Sequence, residues 1–551
     1  MTRRTDNIVV SFMDTDDTPV PMSTDFNVST HGYTSPDSPY RCAPDRLKGS
    51  VTIDKSIGTV FWREGSAVEF GNIDITIEDG GIDLINGSSI DWVTWAKDAP
   101  TPQVVIAVQL SDGSLEHIAT ADATDIQFPD DRTIRVKLET KHGTKLDQYV
   151  NDYYSGVNDE LDGTPIPILW GSPSLVQVLP TILRDEAALR YDVCDLPLVT
   201  GLSPSEYRAF DRGVVLFEGD SPGFDIVDNG FELTANPDGK ITFGIAGLSS
   251  AGVEDPLETG EMLEGTWRVL RYVLFRAGID VDAYYPDFGD WPIPQPGGAN
   301  SYYPFIHSME PITARQILDK VMAPLGAWWY VDEMGVFQFG QLVAPEEQPL
   351  SFSYTDGELV GSVSALVDRA PGLSNRIAWG YRPGWYQQSE LAASVTGDFR
   401  TTLSLPWTFW ETTEAIPSLY AGALGTPAIE FLNAATGLTP TDLSYIQDEV
   451  DRWWADLYYT TRRFYNCAVP LYGNVTLPEL GQSGLIQSDT FRLIENPVAI
   501  YVRRIKLDLG EGLVQIQGWG GEYPTDAPTA PTGLTATAIS DSEIDLDWVN
   551  P

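Results

Sequence analysis

Residues Gln103–Phe128, QVVIAVQLSDGSLEHIATADATDIQF, set the pattern of this chain. Apolar and polar residues alternate on both sides of Asp112-Gly113, and a period of two is typical of strands with one buried face. Asp-Gly favours the positive backbone angles of a tight hairpin turn. Thr133–Thr140, TIRVKLET, continues the alternation. The stretch therefore predicts three consecutive antiparallel strands.

The same pattern extends outward in both directions. Alternating segments occur at Val51–Trp62, Phe70–Ile85, Ala188–Asp195, Gly213–Gly219 and Phe231–Ile245. Asp79-Gly80-Gly81 and Asn236-Pro237-Asp238-Gly239 lie within these segments and predict turns, because glycine, proline, asparagine and aspartate favour turn geometries. The first half of the chain is therefore predicted to consist of short strands.

Three helices are predicted, near Gly260–Gly278, Thr313–Leu325 and Thr439–Asn466. The first places Leu263, Trp267, Leu270 and Leu274 at three- and four-residue spacings, which form one apolar face. The second opens with Thr313-Ala-Arg-Gln316, the pattern of a capping box, and is followed by a predicted hairpin in AWWYVDEMGVFQFG. The third has Thr439 as N-cap and Pro440 at its first position. Strands are expected again after it.

The composition restricts the class of protein. The 551 residues are enough for several domains, and 42% hydrophobic residues can form cores. Asp and Glu total 79 against 34 Lys and Arg, a formal net charge of −45. Such a surface repels phosphate, so binding to a nucleic acid backbone is disfavoured. Solubility in salt is the simplest interpretation of the charge.

The cysteine spacing and the first residues argue against a disulfide-rich, metal-binding or secreted protein. Cys42, Cys194 and Cys467 are scattered and odd in number, so they predict buried small side chains rather than disulfides or a metal site. The apolar run Ile8–Met13 is too short for a signal-peptide core. No segment approaches the ~20 apolar residues of a membrane span. A soluble product made in the cytoplasm is expected.

Four segments resemble one protein family, the baseplate or tail-tip hub proteins of tailed bacteriophages of the siphophage type. They are Phe70–Ile85, Gly163–Asp185 with Ala188–Asp195, Ile312–Gly340, and Asn474–Gly520. GTPIPILWG is similar to the family's "PiPivyG" stretch, and GAWWYVDEMGVFQFG to its helix-linked hairpin. The four segments occur in the family's order and span most of Ser50–Gly520.

The resemblance implies a non-enzymatic structural protein of the virion, located in the tail tip or baseplate. It implies a mainly β, multidomain fold with a few helices, in which small β-barrel or sandwich domains form a homotrimeric ring around the tail channel. The implied partners are the distal tail protein, the tape measure protein and tail fibre or receptor-binding proteins. DNA would pass without specific binding, and contact with the host surface would be indirect. Some relatives hold an iron–sulfur cluster, but the scattered cysteines here do not support one, and no cofactor is expected.

The C-terminal residues differ from the rest of the chain. Pro/Thr/Ala-rich residues lead into LTATAISDSEIDLDW, which predicts two alternating strands. This stretch resembles the start of a fibronectin type III domain at Pro528, Pro531, Leu534, Ala536, Ile544, Leu546 and Trp548. Because such a sandwich needs seven strands, only its beginning is expected here.

The sequence leads to a division into five segments. They are a β-rich hub domain (1–150), a second β-rich domain (151–250), a helix-plus-hairpin α+β domain (251–345), a β-rich domain with an inserted helix (346–524), and a linker with the first fibronectin-like strands (525–551).

A catalytic alternative has few candidate residues. The four histidines, His31, His117, His142 and His307, form no HExxH or HxH motif, and no phosphate-binding glycine motif is present. A phage-associated or secreted glycosidase with a fibronectin-like module needs only two carboxylates, and paired tryptophans could stack on sugars. The tryptophan pairs are Trp92/Trp95, Trp328/Trp329, Trp407/Trp410 and Trp453/Trp454. Packing is the stronger interpretation of these tryptophans. A receptor-binding adhesin is the other alternative, and no catalytic, metal or cofactor residue is predicted.

The charge leads to one further expectation about a channel-forming ring. Acidic residues that face the lumen would keep DNA from sticking during ejection. Interfaces between copies should contain few acids, because like charges brought together cost free energy. A uniformly acidic outer surface is the alternative distribution.

Overall fold

The computed structural model shows a chain built mainly of strands. It describes residues 4–13, 27–30, 33–34, 41–42, 46–58, 67–76, 82–85, 88–91, 103–157, 160–171, 177–198, 207–245, 256–257, 263, 266–284, 305–322, 327–366, 376–381, 387–404, 408–413, 428–431, 462–472, 475–489, 497–522, 532–540 and 543–549. Several separate sheets and short helices occur within these ranges. The predicted mainly β, multidomain class is confirmed.

Helices are few among the described residues. They are α1 (Gly143–Leu146), α2 (Thr266–Arg276), α3 (Val281–Tyr284), α4 (Ala314–Met322) and α5 (Gly397–Ser404), with a 3-10 turn at Pro345–Glu347. The strands that the structure describes form open sheets with free edges, so the barrel version of the predicted domains is not found among them.

The N-terminal sheet is antiparallel and seven-stranded. In spatial order its strands are β2 (Asn27–Ser29), β1 (Arg4–Met13), β11 (Gln103–Leu110), β12 (Leu115–Asp130), β13 (Thr133–Thr140), β8 (Ile73–Thr76) and β5 (Leu47–Lys48). At the predicted hairpin the Gly113 φ is +87° and the Gly113 N–H donates to the Leu110 carbonyl at 2.9 Å. The three consecutive strands predicted for Gln103–Thr140 are therefore confirmed.

Two four-stranded sheets follow in the middle of the chain. One has the order β15 (Gln177–Pro180), β22 (Ile241–Ile245), β18 (Tyr207–Asp211), β19 (Val214–Phe217). The other has the order β16 (Ile182–Asp185), β17 (Arg190–Asp192), β21 (Gly230–Leu233), β20 (Phe224–Val227). Two further strand pairs belong to the same part of the chain, β14 (Ile168–Gly171) with β23 (Phe305–Ser308), and β24 (Ala327–Val331) with β25 (Phe337–Gln341).

An eight-stranded sheet combines strands from two distant parts of the chain. Its main path is β26 (Leu350–Tyr354), β32 (Ser483–Ile486), β33 (Val498–Asp508), β34 (Leu513–Glu522), β31 (Arg463–Pro470) and β27 (Ser364–Leu366), with β6 (Thr52–Ser56) paired to β33 and β7 (Ala67–Phe70) paired to β6. β33 reaches both regions because its first residues pair with β32 and its last residues pair with β6. Strands from residues 52–70 therefore complete a sheet built by residues 350–522.

The remaining described strands form small separate sheets. They are β29 (Thr408–Thr413), β28 (Arg376–Tyr381) and β30 (Ala428–Phe431); β9 (Ile82–Ile85) and β10 (Ser88–Asp91); β3 (Tyr33–Thr34) and β4 (Arg41–Cys42); and β35 (Thr532–Ser540) and β36 (Glu543–Val549). β35 and β36 are antiparallel neighbours, as two consecutive fibronectin-like strands would be. The fibronectin assignment itself stays a prediction.

Two large apolar cores hold these elements together. The first combines residues of the N-terminal sheet with residues of the eight-stranded sheet, such as Val104, Ile134, Ile500 and Trp519. The second contains α2, α4 and the central strands, with Trp170 and Phe243 among its fully buried side chains. Residues of the predicted segments 1–150 and 346–524 thus share one core. The predicted segment boundaries stay a prediction.

The capping box at the second predicted helix is present. The Gln316 N–H donates to the Thr313 hydroxyl at 3.3 Å, and the Thr313 N–H donates to the Gln316 side-chain oxygen at 3.1 Å. This reciprocal pair satisfies two donors at the helix start. α4 ends at Met322, and its predicted end at Leu325 lies outside the described residues. The first predicted helix is α2, which begins at Thr266.

The third predicted helix, at 439–466, extends too far toward the C-terminus. Its positions 439–461 lie outside the described residues, whereas Arg463–Asn466 begin strand β31. Phe464, Cys467 and Val469 are buried, and Cys467 is opposite Ile516 of β34. Pairing in the large sheet therefore determines the conformation of these residues, which lie beyond the last apolar turn of the helical pattern.

Several other predicted features lie outside the described residues. They are the turn at residues 79–81, His31, Trp92, Trp95, Trp407, Trp453 and Trp454.

Candidate functional site

The histidines that the structure describes are not arranged as catalytic groups. Burial lowers the pKa of His142 to about 3 and the pKa of His307 to about 3, so both rings are neutral near pH 7. His142 stacks on Phe337 with ring centroids 6.2 Å apart. The His117 ring bonds locally within β12, to the Thr120 hydroxyl and the Ala119 carbonyl. Each described histidine is therefore either buried in the fold or hydrogen-bonded within its own strand.

Three carboxyl groups with raised pKa values lie in three different parts of the fold. Burial raises the pKa of Asp195 to about 6, and it also raises the pKa of Asp319 and of Glu218. Asp195 is fully buried, and Asp319 accepts the Trp329 indole N–H at 2.8 Å. A glycosidase needs a raised-pKa acid that reaches its substrate beside a second carboxylate. The Asp195 carboxylate instead contacts the Arg276 guanidinium inside the fold, and Asp319 accepts from an indole that is itself buried.

One cleft of about 460 Å³ combines carboxylates with aromatic side chains. It is lined by Glu69, Glu139, Asp147, Arg315, Trp329 and Tyr330, among others. Arg315 pairs with Asp147 at 2.7 Å and lies over the Trp329 ring at 5.8 Å. Trp329 is only 6% exposed, so little of its ring is available to stack on a sugar. The packing interpretation of this tryptophan therefore holds in the structure.

No described helix combines the length and apolar character needed to cross a bilayer. Within the described ranges, no three histidine, cysteine, aspartate or glutamate side chains are grouped as metal ligands would be.

A network around Arg276 fixes α2 to the central strands. The Arg276 guanidinium contacts the Asp195 carboxylate at 3.0 Å, the Asp152 carboxylate at 2.9 Å and the Val150 carbonyl at 2.6 Å. Asp195 also accepts the Trp170 indole N–H at 3.2 Å. The Arg276 side chain thus connects α2 to two separate chain segments, one at Val150–Asp152 and one at Asp195.

A second buried carboxylate lies close in sequence to Asp195. Asp192 is fully buried, accepts the Tyr154 hydroxyl at 3.1 Å, and has arginine nitrogens of Arg184 and Arg190 within 3.5 Å. Cys194, between the two aspartates, is buried, and burial raises the pKa of its thiol. The neutral thiol behaves as a small apolar side chain, as the sequence predicts.

We expect the Asp195 carboxyl to make the stability of the protein depend on pH. Its folded pKa, about 6, lies above the ordinary value of 3.8, so the folded state holds this proton more tightly than the unfolded chain does. The contribution of Asp195 to the free energy of unfolding is fully present below about pH 4. It falls by about 2–3 kcal/mol as the pH rises through 6. Asp195→Asn cannot titrate. The free energy of unfolding of the wild type minus that of the variant should therefore fall by this amount between pH 4 and 7, in urea titrations.

Asp152→Asn is the control for this measurement. It removes the outer, 61% exposed partner of Arg276 and leaves Asp195 in place, so its stability should keep the wild-type fall with pH. A constant difference between wild type and Asp195→Asn across this range would show that the buried carboxyl does not titrate there.

A second connection, the hairpin junction, comprises Lys55, Thr120, Trp328, Glu333 and Tyr501. The Glu333 carboxylate accepts from the Lys55 ammonium at 2.8 and 2.9 Å. Its main-chain carbonyl accepts from the Thr120 N–H at 2.6 Å. The tip of the β24–β25 hairpin is therefore bound to both β6 and the N-terminal sheet.

The base of the same hairpin is bound to the eight-stranded sheet. The Trp328 indole N–H donates to the Tyr501 hydroxyl at 2.8 Å, and that hydroxyl donates to the Gln341 carbonyl at 2.9 Å. A Cβ on Gly340 or Gly481 would overlap the Trp328 ring, so both glycines make room for it. The hairpin junction thus connects three sheets through one short element.

The sequence predicted no site residues, and it gave no sign of these two connections. Lys55 and Glu333 are 278 positions apart, and Trp328 and Tyr501 are 173 positions apart. No local motif indicates such pairs. Together the two connections link separate sheets through contacts between distant side chains.

Comparison with known proteins gives similarities of fold only. No family model matches the chain, and no curated protein matches it. A 43 kDa tail protein of prophage MuSo2 from Shewanella oneidensis is similar, with 11% identity, a TM-score of 0.39, and coverage of 93% of this chain and 98% of that one. A tail protein from Neisseria meningitidis MC58 has 9% identity and a TM-score of 0.35 over 86% and 97%. Prophage tail protein gp18 from Listeria monocytogenes EGD-e has 7% identity and a TM-score of 0.37 over 94% and 95%. These likenesses do not assign the chain to a family.

Proposed function

We propose that the chain is a structural, non-enzymatic protein of a tailed-phage virion, the hub of the tail tip or baseplate. Support comes from the four hub-like sequence segments and from where their residues lie. Phe70–Ile85 contributes to β7, β8 and β9; Gly163–Asp195 to β14–β17; Ile312–Gly340 to α4, β24 and β25; and Asn474–Gly520 to β32–β34.

The observation that carries the proposal is that these segments form the connected scaffold. Phe70 is opposite Ile53 of β6, and Ile53 is opposite Leu507 in the fourth segment. Trp328 in the third segment donates to Tyr501 in the fourth. Residues that resemble the family therefore occupy positions that determine the arrangement of the sheets.

The proposed hub is a homotrimeric ring that closes the tail tube and connects it to the host-recognition proteins. Its partners would be the distal tail protein, the tape measure protein and tail fibre or receptor-binding proteins. With a net charge of −45, a lumen lined by carboxylates would repel DNA phosphates and allow passage without binding. The contacts between copies would be large and obligate.

The oligomeric state tests the proposal. We expect native mass spectrometry of the full chain, alone or mixed with the distal tail protein of the same phage, to show three copies of the 60.6 kDa chain. Cryo-electron microscopy of virions should then place the chain at the tail tip, with its carboxylates toward the channel. A chain that stays monomeric with its neighbours present, or that lies in the capsid, would contradict the proposal.

A further inference from the structure

Residues 387–404, here called the tip loop, lie at the end of a long hairpin. The strands on either side of them, β28 and β29, are antiparallel neighbours, and their pairing continues up to Tyr381 opposite Thr408. The two ends of the intervening segment are therefore held side by side. A compact loop whose ends are close together can move away from its neighbours without separating the strands that carry it.

The tip loop has internal contacts that close it into a compact unit. The Gln388 N–H donates to the Leu403 carbonyl at 2.9 Å, which joins the two ends of the loop. The Arg400 guanidinium donates to the Ala392 carbonyl at 3.1 Å and to the Val395 carbonyl at 3.0 Å. These bonds lie within the loop, so they do not depend on the sheet that the loop contacts.

The tip loop packs on one face of the sheet that contains β18 and β22. Phe210 of β18 is buried with Val395 and Leu403 in a small core, separate from the two large ones. Gly213 lies beneath the loop, and an added Cβ there would meet side-chain atoms of Leu391, Leu403 and Val395 at 2.6, 3.1 and 3.3 Å. Apolar side chains from the loop thus converge on the end of the β18–β19 hairpin.

Hydrogen bonds accompany this apolar contact. The Ala392 N–H donates to the Arg212 carbonyl at 2.9 Å. The Gln388 side-chain amide donates to the Thr242 hydroxyl at 3.1 Å, and both of these side chains are buried. The residues on either side of Thr242 in β22 belong to the central core, so the Thr242 side chain is on the opposite face of the sheet. It lies beneath the loop, against Gln388.

The contact between the tip loop and the sheet is small. Its core contains three buried residues, whereas the two large cores extend through whole sheets and helices. Most other described side chains of the loop are exposed. Because opening of the loop breaks only these few contacts, it costs less free energy than unfolding of either large core.

We propose that the tip loop is a detachable latch, which leaves the sheet as a unit while both large cores and the β28–β29 pair stay folded. In the closed state it connects the sheet of β28, β29 and β30 to the sheet of β15, β22, β18 and β19. In the open state an apolar face around Phe210 and Val215 is exposed, together with the Thr242 side chain. The latch is a conformational property of the fold and goes beyond the proposed function.

Thiol labelling of the folded full chain tests the latch. Thr242→Cys places a thiol of similar size beneath the loop, where N-ethylmaleimide reaches it only when the loop is open. Cys194 and Cys467 are buried in the two large cores and are internal controls in the same molecule. Without denaturant, we expect the introduced thiol to react at least roughly tenfold faster than either of them. Peptide mapping assigns the label to each site.

A second substitution tests whether packing of the loop controls the opening. Leu403→Ala in the Thr242→Cys background removes an apolar contact between loop and sheet, and we expect the introduced thiol to react at least roughly tenfold faster again. Leu509→Ala is the matched control, because Leu509 is as deeply buried but belongs to the first large core. It should leave the reaction rate of the introduced thiol unchanged. Equal acceleration by both substitutions would show that the thiol is exposed by unfolding of a large core, which contradicts the proposal.

Hydrogen exchange of the unsubstituted chain gives an independent measurement. We expect amides of residues 387–404, including the Ala392 N–H that is bonded to the sheet, to exchange at least roughly tenfold faster than amides of β33 and β34. Exchange of the two regions at one common rate would overturn the proposal. So would an introduced thiol that reacts as slowly as Cys194, or one that reacts at the rate of an unprotected thiol, because the loop would then never open or never cover the sheet.

Discussion

Trp170→Ala should lower the free energy of unfolding by about 3–5 kcal/mol, the range for removing a large buried aromatic side chain. Trp170 is fully buried, and its ring meets Tyr272 edge-on with centroids 5.0 Å apart. The substitution leaves a cavity in the central core and removes the indole N–H from the Asp195 carboxylate. Urea unfolding followed by circular dichroism measures the loss.

Trp170→Phe separates the two contributions. It keeps most of the ring and removes only the N–H donor, so we expect a smaller loss, about 1–3 kcal/mol, from the hydrogen bond and reduced packing. Equal stability of Trp170→Ala and wild type would show that this part of the core can be lost without cost and would contradict the assigned packing.

Glu333→Gln should destabilise the protein by roughly 3 kcal/mol, because it leaves the Lys55 ammonium without its charged partner. The side chain of Lys55 is only 10% exposed and that of Glu333 is 22% exposed. Lys55→Met in the Glu333→Gln background replaces the stranded charge with an apolar side chain of similar length. We expect it to recover most of the lost stability, and a double-mutant cycle in urea measures the coupling.

The Arg315–Asp147 pair is the control for this cycle. Its side chains are 38% and 60% exposed, and Asp147→Asn should cost less than about 1 kcal/mol, as surface pairs do. If Glu333→Gln were equally mild, the hairpin junction would not depend on its buried ion pair.

Local signals predicted the elements whose geometry is determined by neighbouring residues. The Asp112-Gly113 turn is present because the turn and the flanking alternation specify the same hairpin. The Thr313–Gln316 capping box is present because both partners lie within one helical turn. Burial of Trp329 and Cys194 also agrees with the sequence, because apolar and aromatic residues in regular patterns usually pack in cores.

Elements that depend on distant residues were not predictable from one sequence. The sequence pattern predicts helix at Arg463–Asn466, but β34, the strand that pairs with them, begins only at Leu513. Lys55 and Glu333 find each other only after three sheets have come together. Nothing in the local sequence distinguishes Arg276, which lies in the last turn of α2. Its partners Asp152 and Asp195 are more than 80 positions away in the chain. Long-range pairing of this kind has no local signature.

The pairing of β6 with β33 has a consequence for the order of events during synthesis. Asp54 and Arg504, which form an ion pair across these strands, are 450 positions apart. At ~5–20 residues per second, β6 leaves the ribosome roughly 20–90 s before its partner exists. Ile53, fully buried in the finished protein, has Phe70 of β7 beside it early but is without Leu507 of β33 during that interval. The outer pairing of β6 is thus completed late, and a chain interrupted before β33 cannot complete the eight-stranded sheet.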